Sequence, residues 1–328
     1  MRNCLFFVAL LCSPIGLPSV TFAVTNVTCN GTDVTATLQS ALNTAGSTGD
    51  TVLMSPGTCI ISSSLTMGNG SASAASSLAG AILAGSGEPW RGGVGYTQRG
   101  TILQFTGTGY AISVLGPLQG WGLQNFQLLC ANPPGQSGGV ALASAQYGVN
   151  HDLAIVNCPI GIISATVSSN AGLQNVDSLH NSWHNLYIEI PNNSAVEQGI
   201  NMQPQHAGDT DYNDFDNVVV DFGVPTGTQE YGIYDMGGDT NYYRNIHFVW
   251  HGISRCTSCN SIVFDYTGGG GRPDDETFMH VDWGSVMPPT NNGSASGAAA
   301  PNVFMDVVTN NGGSFPAGVA NTRLITSY

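Results

Sequence analysis

The sequence reads WHNLYIEI at residues 183–190, FDNVVVDF at 215–222 and YRNIHFVW at 243–250. Each stretch places an Asn directly before alternating residues of β-strand period. Six such ladder positions recur at intervals of 27 to 35 residues: Asn125, Asp152, Asn185, Asn217, Asn245 and His280. A unit of this length cannot bury its own apolar face, so successive units must stack. The repeat therefore predicts an all-β fold, a single-stranded parallel β-helix.

A second strand is expected in each repeat. It usually opens on a glycine followed by a β-branched residue, and the expected openings are Gly139, Gly161, Gly199, Gly232, then Ser261 and Asn302. A stacked Asn at a left-handed turn can hydrogen-bond to its neighbours along the column. That structural role is predicted for Asn125, Asn185, Asn217 and Asn245.

Composition limits the partners of the protein. The chain has 328 residues and a net charge of -14, and all seven of its basic residues are Arg. A chain without Lys and without a basic stripe is not expected to bind nucleic acid. An anionic polymer would also be repelled unless a cation or a local Arg cluster reversed the sign. The length fits one domain.

The N-terminus has the pattern of a secretory signal. Arg2 precedes an apolar run, and Thr21 and Ala23 supply the small residues of a cleavage site. Residues 1–23 are therefore predicted to be a signal peptide of a secreted or periplasmic protein. A lipoprotein attached at Cys12 is disfavoured because Leu11 is too bulky. No later segment approaches the length of a membrane span.

The mature chain has six cysteines, which suits an oxidising compartment. Fifteen pairings exist, and the spacing favours three bonds: Cys29 with Cys59, Cys130 with Cys158, and Cys256 with Cys259. The last pair also matches a redox Cys-x-x-Cys motif. That motif normally sits at a strand-to-helix turn, which is not expected here, so a structural bond is favoured.

Asp33 to Ala45 has helical spacing, with Thr35 as the expected cap and Gly46 as the stop. The strand Thr51 to Met54 follows. With this segment the chain resembles the pectate-lyase-like right-handed parallel β-helix proteins, which include polygalacturonases, polysaccharide lyases and phage tailspikes. The resemblance is carried by Asp33, Thr35, Gln39, Ala41, Leu42, Ala45, Val52, Pro56, Gly57 and Ile60.

The resemblance implies that the helix plugs the N-terminal end of the solenoid, which would otherwise expose strand edges. Residues 24–328 would then form the β-helix domain, with the cap and first strand in residues 24–60. Such a likeness says more about the fold than about the reaction.

Alternation places one group of polar residues on a single outward face. These residues are His184, Tyr187, Asp216, Arg244, His247 and Asp282. So dense a polar group in a chain with 9% charged residues makes them candidate catalytic residues, with Tyr187 also expected to bind substrate. The alternative is a face whose polar residues merely meet water.

Two glutamates form the leading candidate acid and base. Glu197 and Glu230 occupy the same position before a Gly-Ile pair, so they should stack on adjacent turns. Two carboxylates this close raise the pKa of one of them, which produces an acid and a base. In polygalacturonase-like proteins the catalytic aspartates abut the glycine, so the match is offset by one. The alternative is an exposed loop pair.

Asp209 and Asp211 begin an acidic run with the alternate spacing of calcium loops. It departs from an EF-hand, because Asp214 stands where Gly is needed. An acidic surface loop is the simpler interpretation. Ca²⁺ is thus a candidate cofactor, although none is required.

The expected function is that of a secreted carbohydrate-active protein, with glycoside hydrolysis of an extended polysaccharide favoured and a pectin-like polymer as one candidate substrate. Hydrolysis needs two carboxyl groups, and Tyr187, Tyr234 and Trp250 are expected to hold sugar rings. The first alternative is a calcium-assisted polysaccharide lyase, which needs positive charge that this chain largely lacks. The second is a non-catalytic glycan-binding surface module. The sequence does not distinguish a monomer from a homo-oligomer.

Overall fold

The computed structural model is a right-handed parallel β-helix, as the repeat predicts. It describes residues 23–68, 78–87, 100–164, 178–191, 196–203, 210–223, 229–251, 256, 258–267, 273, 275–284, 286–293, 301–307 and 322–325. Two long parallel sheets run the length of this part of the chain. The predicted signal segment, except Ala23, and Asp209 fall outside the described residues. Within those residues, no helix is long and apolar enough to cross a membrane.

Sheet A carries the ladder positions and forms one wall of the solenoid. Its thirteen strands are β1 (Val24–Val27), β2 (Thr51–Met54), β3 (Gly57–Ile61), β6 (Ile82–Ala84), β7 (Thr101–Phe105), β9 (Gly122–Cys130), β11 (Val149–Val156), β13 (Ser182–Glu189), β16 (Asp214–Asp221), β19 (Tyr242–Val249), β21 (Thr277–Asp282), β23 (Asn302–Met305) and β24 (Thr322–Ile325).

Sheet B forms the facing wall. Its nine strands are β4 (Leu65–Gly68), β5 (Leu78–Ala79), β8 (Gly109–Gln119), β10 (Gln136–Gln146), β12 (Ile160–Ser164), β14 (Val196–Met202), β17 (Gln229–Asp235), β20 (Cys259–Asp265) and β22 (Thr290–Asn292). A short third sheet joins β15 (Thr210–Asp211) to β18 (Gly238–Asp239). A 3₁₀ turn spans Pro133–Gly135. One sequence expectation was wrong, because Asn302 opens a strand of sheet A and Thr290–Asn292 supplies the strand of sheet B.

The ladder positions adopt the left-handed conformation that was predicted. The φ angles lie between 49° and 59° at Asn125, Asp152, Asn185, Asn217, Asn245, His280 and at a seventh position, Asp306. Asn185 donates to the Asp152 carboxylate over 2.9 Å, and Asn217 donates to the Asn185 carbonyl over 2.6 Å. Asn245 departs from the column and donates to Asp216 over 2.8 Å. Side-chain bonds between turns thus support a bend that few residue types tolerate.

A second polar ladder, which sequence reasoning missed, lies inside the coil four residues before the first. Its members are Asn181, Asn213, Asn241, Glu276 and Asn302, all fully or almost fully buried. Amide-to-amide bonds of 3.0 Å join Asn181 to Asn213 and Asn213 to Asn241, and Asn241 donates to Glu276 over 2.9 Å. Burial, with Asp235 nearby, raises the pKa of Glu276 well above its usual range. The ladder therefore satisfies polar groups at a buried corner.

An aromatic column fills the core beside this ladder, two residues before the left-handed positions, where the apolar residues of the repeat predict an inward-facing corner. Rings stack from Trp183 through Phe215, Tyr243 and Phe278 to Phe304, with centroids 4.6 to 6.2 Å apart. All five side chains are buried. Because each ring contacts the next turn, the column ties successive coils together.

The capping helix α1 (Thr35–Ala45) covers the first turns and buries Leu38 and Leu42. Gln39 binds the backbone of Thr66 at both N and O, over 2.8 and 2.9 Å. Thr35 is the first helical residue rather than the cap, and the Asp33 carboxylate accepts its N–H over 2.9 Å. The helix thus plugs the coil as the resemblance implied.

All three expected disulfides are present: Cys29–Cys59, Cys130–Cys158 and Cys256–Cys259. The first two join positions 30 and 28 residues apart, which is one turn of the coil. They therefore link neighbouring turns at the N-terminal end and in the middle of the solenoid.

Candidate functional site

The outer face of sheet A brings together the polar residues predicted from alternation. His184, Asp216 and Arg244 pair directly on β13, β16 and β19, and His247 pairs with Asp282. Nδ1 of His184 is 3.7 Å from the Asp216 carboxylate, and Nδ1 of His247 is 3.1 Å from that of Asp282. Their shared face is as expected, and their catalytic roles stay predictions.

Arg244 is held by a carboxylate that the sequence interpretation did not assign to it. Its Nε and Nη2 lie 3.2 and 2.5 Å from the two oxygens of Asp214. A bidentate pair of this kind largely neutralises the guanidinium charge. Arg244 is therefore poorly placed to balance the charge of an acidic sugar.

A tighter cluster lies at the carboxyl ends of β13 and β16. The Tyr187 hydroxyl donates to Oδ2 of Asp221 over 2.8 Å and is 3.5 Å from the Glu189 carboxylate. Nε2 of His251 lies 2.8 Å from the same Asp221 oxygen, and the Gly223 N–H binds the other oxygen over 2.8 Å. We call Tyr187, Glu189, Asp221 and His251 the Glu189 cluster.

Strand register explains why this cluster forms. Glu189 and Asp221 pair directly, four residues after their ladder positions, so their carboxylates stack. The same column continues as Val156 on β11 and Val249 on β19. The acid pair is thus bounded by aliphatic side chains along the column, which restricts its hydration.

The two acids have different surroundings. Partial burial, followed by the charge of Asp221, raises the pKa of Glu189. Burial and the two carboxylates also raise the pKa of Tyr187, so its hydroxyl remains a hydrogen-bond donor. Asp221 accepts three hydrogen bonds that fix its orientation. Glu189 is therefore the acid whose proton is held more tightly than usual, and Asp221 is the acid whose oxygens are held in place.

Access to the cluster comes from the His251 side. The side chain of His251 is 59% exposed, whereas that of Asp221 is 8% exposed. Trp250, a predicted sugar-binding residue, precedes His251 and packs partly buried against the core. A ligand at the outer face would therefore meet His251 and the partly buried Glu189 first, with the buried Asp221 behind them.

The leading candidate pair, Glu197 and Glu230, stacks as predicted but is closed off. The two residues pair directly on β14 and β17 and are only 1% and 2% exposed. The alternative of an exposed loop pair is therefore wrong. Burial, followed by the charge of Glu197, raises the pKa of Glu230 to about 8. Oε2 of Glu230 lies 3.7 Å from Sγ of Cys259, whose disulfide leaves it without a proton to donate. The catalytic role of this pair stays a prediction.

Tyr234, the remaining predicted sugar-binding residue, lies on sheet B and not beside the Glu189 cluster. Its hydroxyl donates to Asp265, which together with burial raises its pKa, and its ring stacks on Tyr231 at 5.3 Å. Tyr234 and the Glu189 cluster therefore belong to different walls of the solenoid.

The predicted calcium loop is described only in part. Asp211 pairs with Asp239 between β15 and β18, while Asp209 lies outside the described residues. Among the residues that the structure describes, no group of three or more His, Cys, Asp or Glu side chains is arranged to hold a metal ion. The calcium site stays a prediction.

Sequence reasoning missed Glu189, Asp221 and His251. Alternation turns the second and the fourth residue after each ladder position outward, and only the second had been used. Glu189 and Asp221 occupy the fourth position on consecutive turns. The two acids could therefore have been found from this column of outward residues. His251 lies beyond the end of β19, so alternation does not predict where its side chain points.

These features define a class, the parallel β-helix proteins with an acidic cluster on the outer face of one sheet. The chain is similar to a solved alginate lyase from Paenibacillus sp. str. FPU-7, with a TM-score of 0.53 and 15% identity over 92% of this chain and 98% of that one. At this identity the similarity shows the fold alone.

Two further solved structures are more distant. The catalytic unit of a GH87 alpha-1,3-glucanase from Streptomyces thermodiastaticus strain HF3-3 gives a TM-score of 0.40 and 12% identity over 95% of this chain and 70% of that one. A mutant tailspike of E. coli bacteriophage HK620, solved with a pentasaccharide, gives 0.47 and 9% over 92% and 57%. No protein-family model and no curated protein sequence matches the chain.

Proposed function

We propose that the protein is a glycoside hydrolase that cleaves an extended, uncharged polysaccharide at the Glu189 cluster. One observation carries the proposal: Glu189 and Asp221 stack on adjacent strands, and a single tyrosine hydroxyl contacts both carboxylates. Two carboxyl groups in unlike environments are what glycoside hydrolysis requires.

In the proposed reaction Glu189 is the acid. Its carboxyl proton passes to the glycosidic oxygen as the bond from that oxygen to the anomeric carbon breaks. An Asp221 oxygen forms a bond to the same carbon from the opposite face. Water then attacks that carbon, releases Asp221, and returns its proton to Glu189.

The spacing of the two acids supports a double displacement. Carboxyl groups about 5 Å apart suit a retaining enzyme, whereas an inverting enzyme needs a wider gap that holds water. A shared contact with one hydroxyl, over 2.8 and 3.5 Å, fits the closer arrangement. We therefore expect the first product to retain its anomeric configuration.

Charge favours an uncharged polymer over a uronate polymer. The chain has a net charge of -14, and Arg244 on the outer face of sheet A is paired with Asp214. An acidic sugar beside Glu189 and Asp221 would meet unbalanced negative charge. The pectin-like substrate considered from the sequence is thus less suitable than a neutral glycan.

A second candidate is β-elimination, which the contact between His251 and Asp221 favours. An imidazole oriented by a carboxylate can act as a base. Tyr187 is less suited to that task, because its raised pKa keeps the hydroxyl protonated. Elimination also requires a group that neutralises the sugar carboxylate, and Arg244 is already paired. Hydrolysis therefore remains the first proposal.

The setting of the proposed enzyme is extracellular or periplasmic. Three disulfides between described cysteines support an oxidising compartment. The solved structure of similar fold named first above is an alginate lyase, which acts on a polysaccharide. A polysaccharide is accordingly the proposed partner, and no step calls for Ca²⁺.

The test is a screen of neutral and acidic polysaccharides with the purified protein. New reducing ends without ultraviolet absorbance would support hydrolysis, and an unsaturated uronate would support elimination. Glu189→Gln should abolish product formation, while Glu197→Gln should not. Binding without any product would support the non-catalytic module.

A further inference from the structure

An exposed aromatic stack lies at another corner of the solenoid, where the chain enters sheet A. Tyr147, His180 and Tyr212 follow one another on consecutive turns, with ring centroids 5.1 Å apart and planes within 18° of parallel. Their φ angles of 53° to 55° are left-handed. Tyr147 and Tyr212 are 50% and 48% exposed. Contiguous exposed apolar surface of this kind is one of the features that mark binding sites.

The two ends of the stack differ. Beyond Tyr212 the column continues with Thr240, which has a side chain and the same left-handed conformation. Before Tyr147 it continues with Gly120, as the pairing of Gln119 with Gln146 shows. A Cβ added at Gly120 would meet no atom within 4 Å. No side chain at Gly120 therefore covers the outer face of the Tyr147 ring. We call this ring face, together with the space above Gly120, the Tyr147 shelf.

The surroundings of the shelf are polar but uncharged. The side-chain amides of Gln119 and Gln146 are hydrogen-bonded to each other over 3.3 Å beside it. Residues 119–122 and 146–149 contain no charged side chain, and Val149 is 52% exposed. A flat apolar ring next to amide donors and acceptors matches a ligand with one apolar face and a rim of hydroxyl groups.

We propose that the Tyr147 shelf binds one uncharged pyranose unit of a polysaccharide, with the sugar ring stacked on Tyr147 and its hydroxyls on Gln119 and Gln146. The shelf lies at the start of the strands of sheet A, and the Glu189 cluster lies at their ends. Binding at the shelf does not depend on the proposed catalysis.

The experiment measures the Kd of neutral hexaoses, namely cellohexaose, maltohexaose and laminarihexaose, by calorimetry in the Glu189→Gln protein, so that no sugar is consumed. We expect at least one of them to bind. Tyr147→Ala should then raise its Kd about tenfold. Gly120→His should raise it equally, because His tolerates the left-handed conformation and its ring would cover Tyr147.

Tyr212→Ala is the matched control. It removes an equally exposed ring from the same stack, but the outer face of that ring lies next to Thr240, so the Kd should change less than twofold. Equal losses in Tyr147→Ala and Tyr212→Ala would mean that the stack is only structural and would overturn the proposal. So would an unchanged Kd in Gly120→His, or no binding of any hexaose. Turnover by the parent protein is recorded separately, since the shelf can bind sugar whether or not Glu189 is catalytic.

Discussion

Two pairs of stacked carboxylates occur on the same two turns of this solenoid, and they differ in almost everything except their stacking. Glu189 and Asp221 end two strands of sheet A and contact Tyr187; Glu189 is partly exposed, and Asp221 is buried beside the exposed His251. Glu197 and Glu230 begin the following strands of sheet B and are buried beside a disulfide.

The comparison shows that the repeat places two carboxyl groups side by side in both sheets, and that the surrounding residues determine whether a pair is exposed or buried. In the sealed pair, burial and repulsion raise the pKa of Glu230 to about 8, and no ligand can reach it. In the open pair the same two causes act on Glu189, but donors from three residues hold Asp221 in place. A raised pKa alone therefore does not identify a reactive acid.

The largest expected effect concerns activity. Glu189→Gln should lower kcat roughly 10² to 10⁴-fold, because the leaving group loses its proton donor. Asp221→Asn should cost at least as much, because the attacking oxygen is lost. Initial rates of reducing-end release on the responsive polysaccharide provide the measurement.

The matched controls for that experiment are Glu197→Gln and Glu230→Gln, which remove the charge of each buried glutamate on sheet B and keep the size of its side chain. Their kcat should stay within about threefold of the parent. A loss in these variants as large as that in Glu189→Gln would return the catalytic role to the sealed pair.

The second effect concerns stability and pH. Because the folded-state pKa of Glu230 is raised from 4.5 to about 8, the folded protein prefers this carboxyl group protonated. The stability that the protonated Glu230 carboxyl group contributes is fully present below about pH 4.5 and is lost as the pH rises through about 8. In urea unfolding, the free energy of unfolding of Glu230→Gln should therefore exceed that of the parent by roughly 5 kcal/mol at pH 9, with little difference at pH 4. A constant difference at both pH values would contradict this assignment.

The third effect is a difference in the free energy of unfolding between a variant of the buried Asn ladder and a variant of the exposed one. Asn213→Ala removes an amide that bonds to Asn181, Asn241 and the carbonyl of Ser178, and should lower the free energy of unfolding by about 2 to 4 kcal/mol. Asn217→Gly keeps the left-handed turn and should cost less than about 1 kcal/mol. Urea unfolding of both variants measures the difference, and equal costs would show that burial is not what matters.

The smallest effect is a shift in the pH profile of activity. The charge of protonated His251 lowers the pKa of Glu189, so His251→Asn should raise that pKa. The alkaline limb of the profile, where Glu189 loses its proton, should move a few tenths of a pH unit upward. A profile measured across the neutral range tests the sign. A downward shift would contradict the assignment of Glu189 as the acid.

Much of the fold was predictable because it depends on local rules that repeat. The spacing of Asn185, Asn217 and Asn245 fixed the turn length, and the apolar residues at Trp183 and Phe215 fixed the inward corner. The position of the last strand of sheet B was not predictable, because Thr290–Asn292 contains no apolar residue, whereas the other strands of that column open on a small residue followed by Val or Ile. The cap residue was misassigned because Thr35 is of a residue type that caps helices, whereas the N-cap position is occupied by Val34, whose side chain makes no capping bond.

The candidate site was less predictable for a physical reason. Alternation tells which side of a strand a residue faces, and it placed Tyr187 and Asp216 on the outer face. It does not tell how deeply a residue is covered by its neighbours, which separates the partly buried Glu189 from the buried Glu230. His251 lies beyond its strand, so only the coordinates place its ring against Asp221.

The most direct test is to trap the proposed covalent intermediate. The responsive glycan is converted to a 2-deoxy-2-fluoro glycoside with a good leaving group, incubated with the protein, and the labelled peptide is found by mass spectrometry. The proposal predicts one sugar bonded to Asp221. A sugar on Glu197 or Glu230 would contradict it, and so would a product with inverted configuration and no label at all.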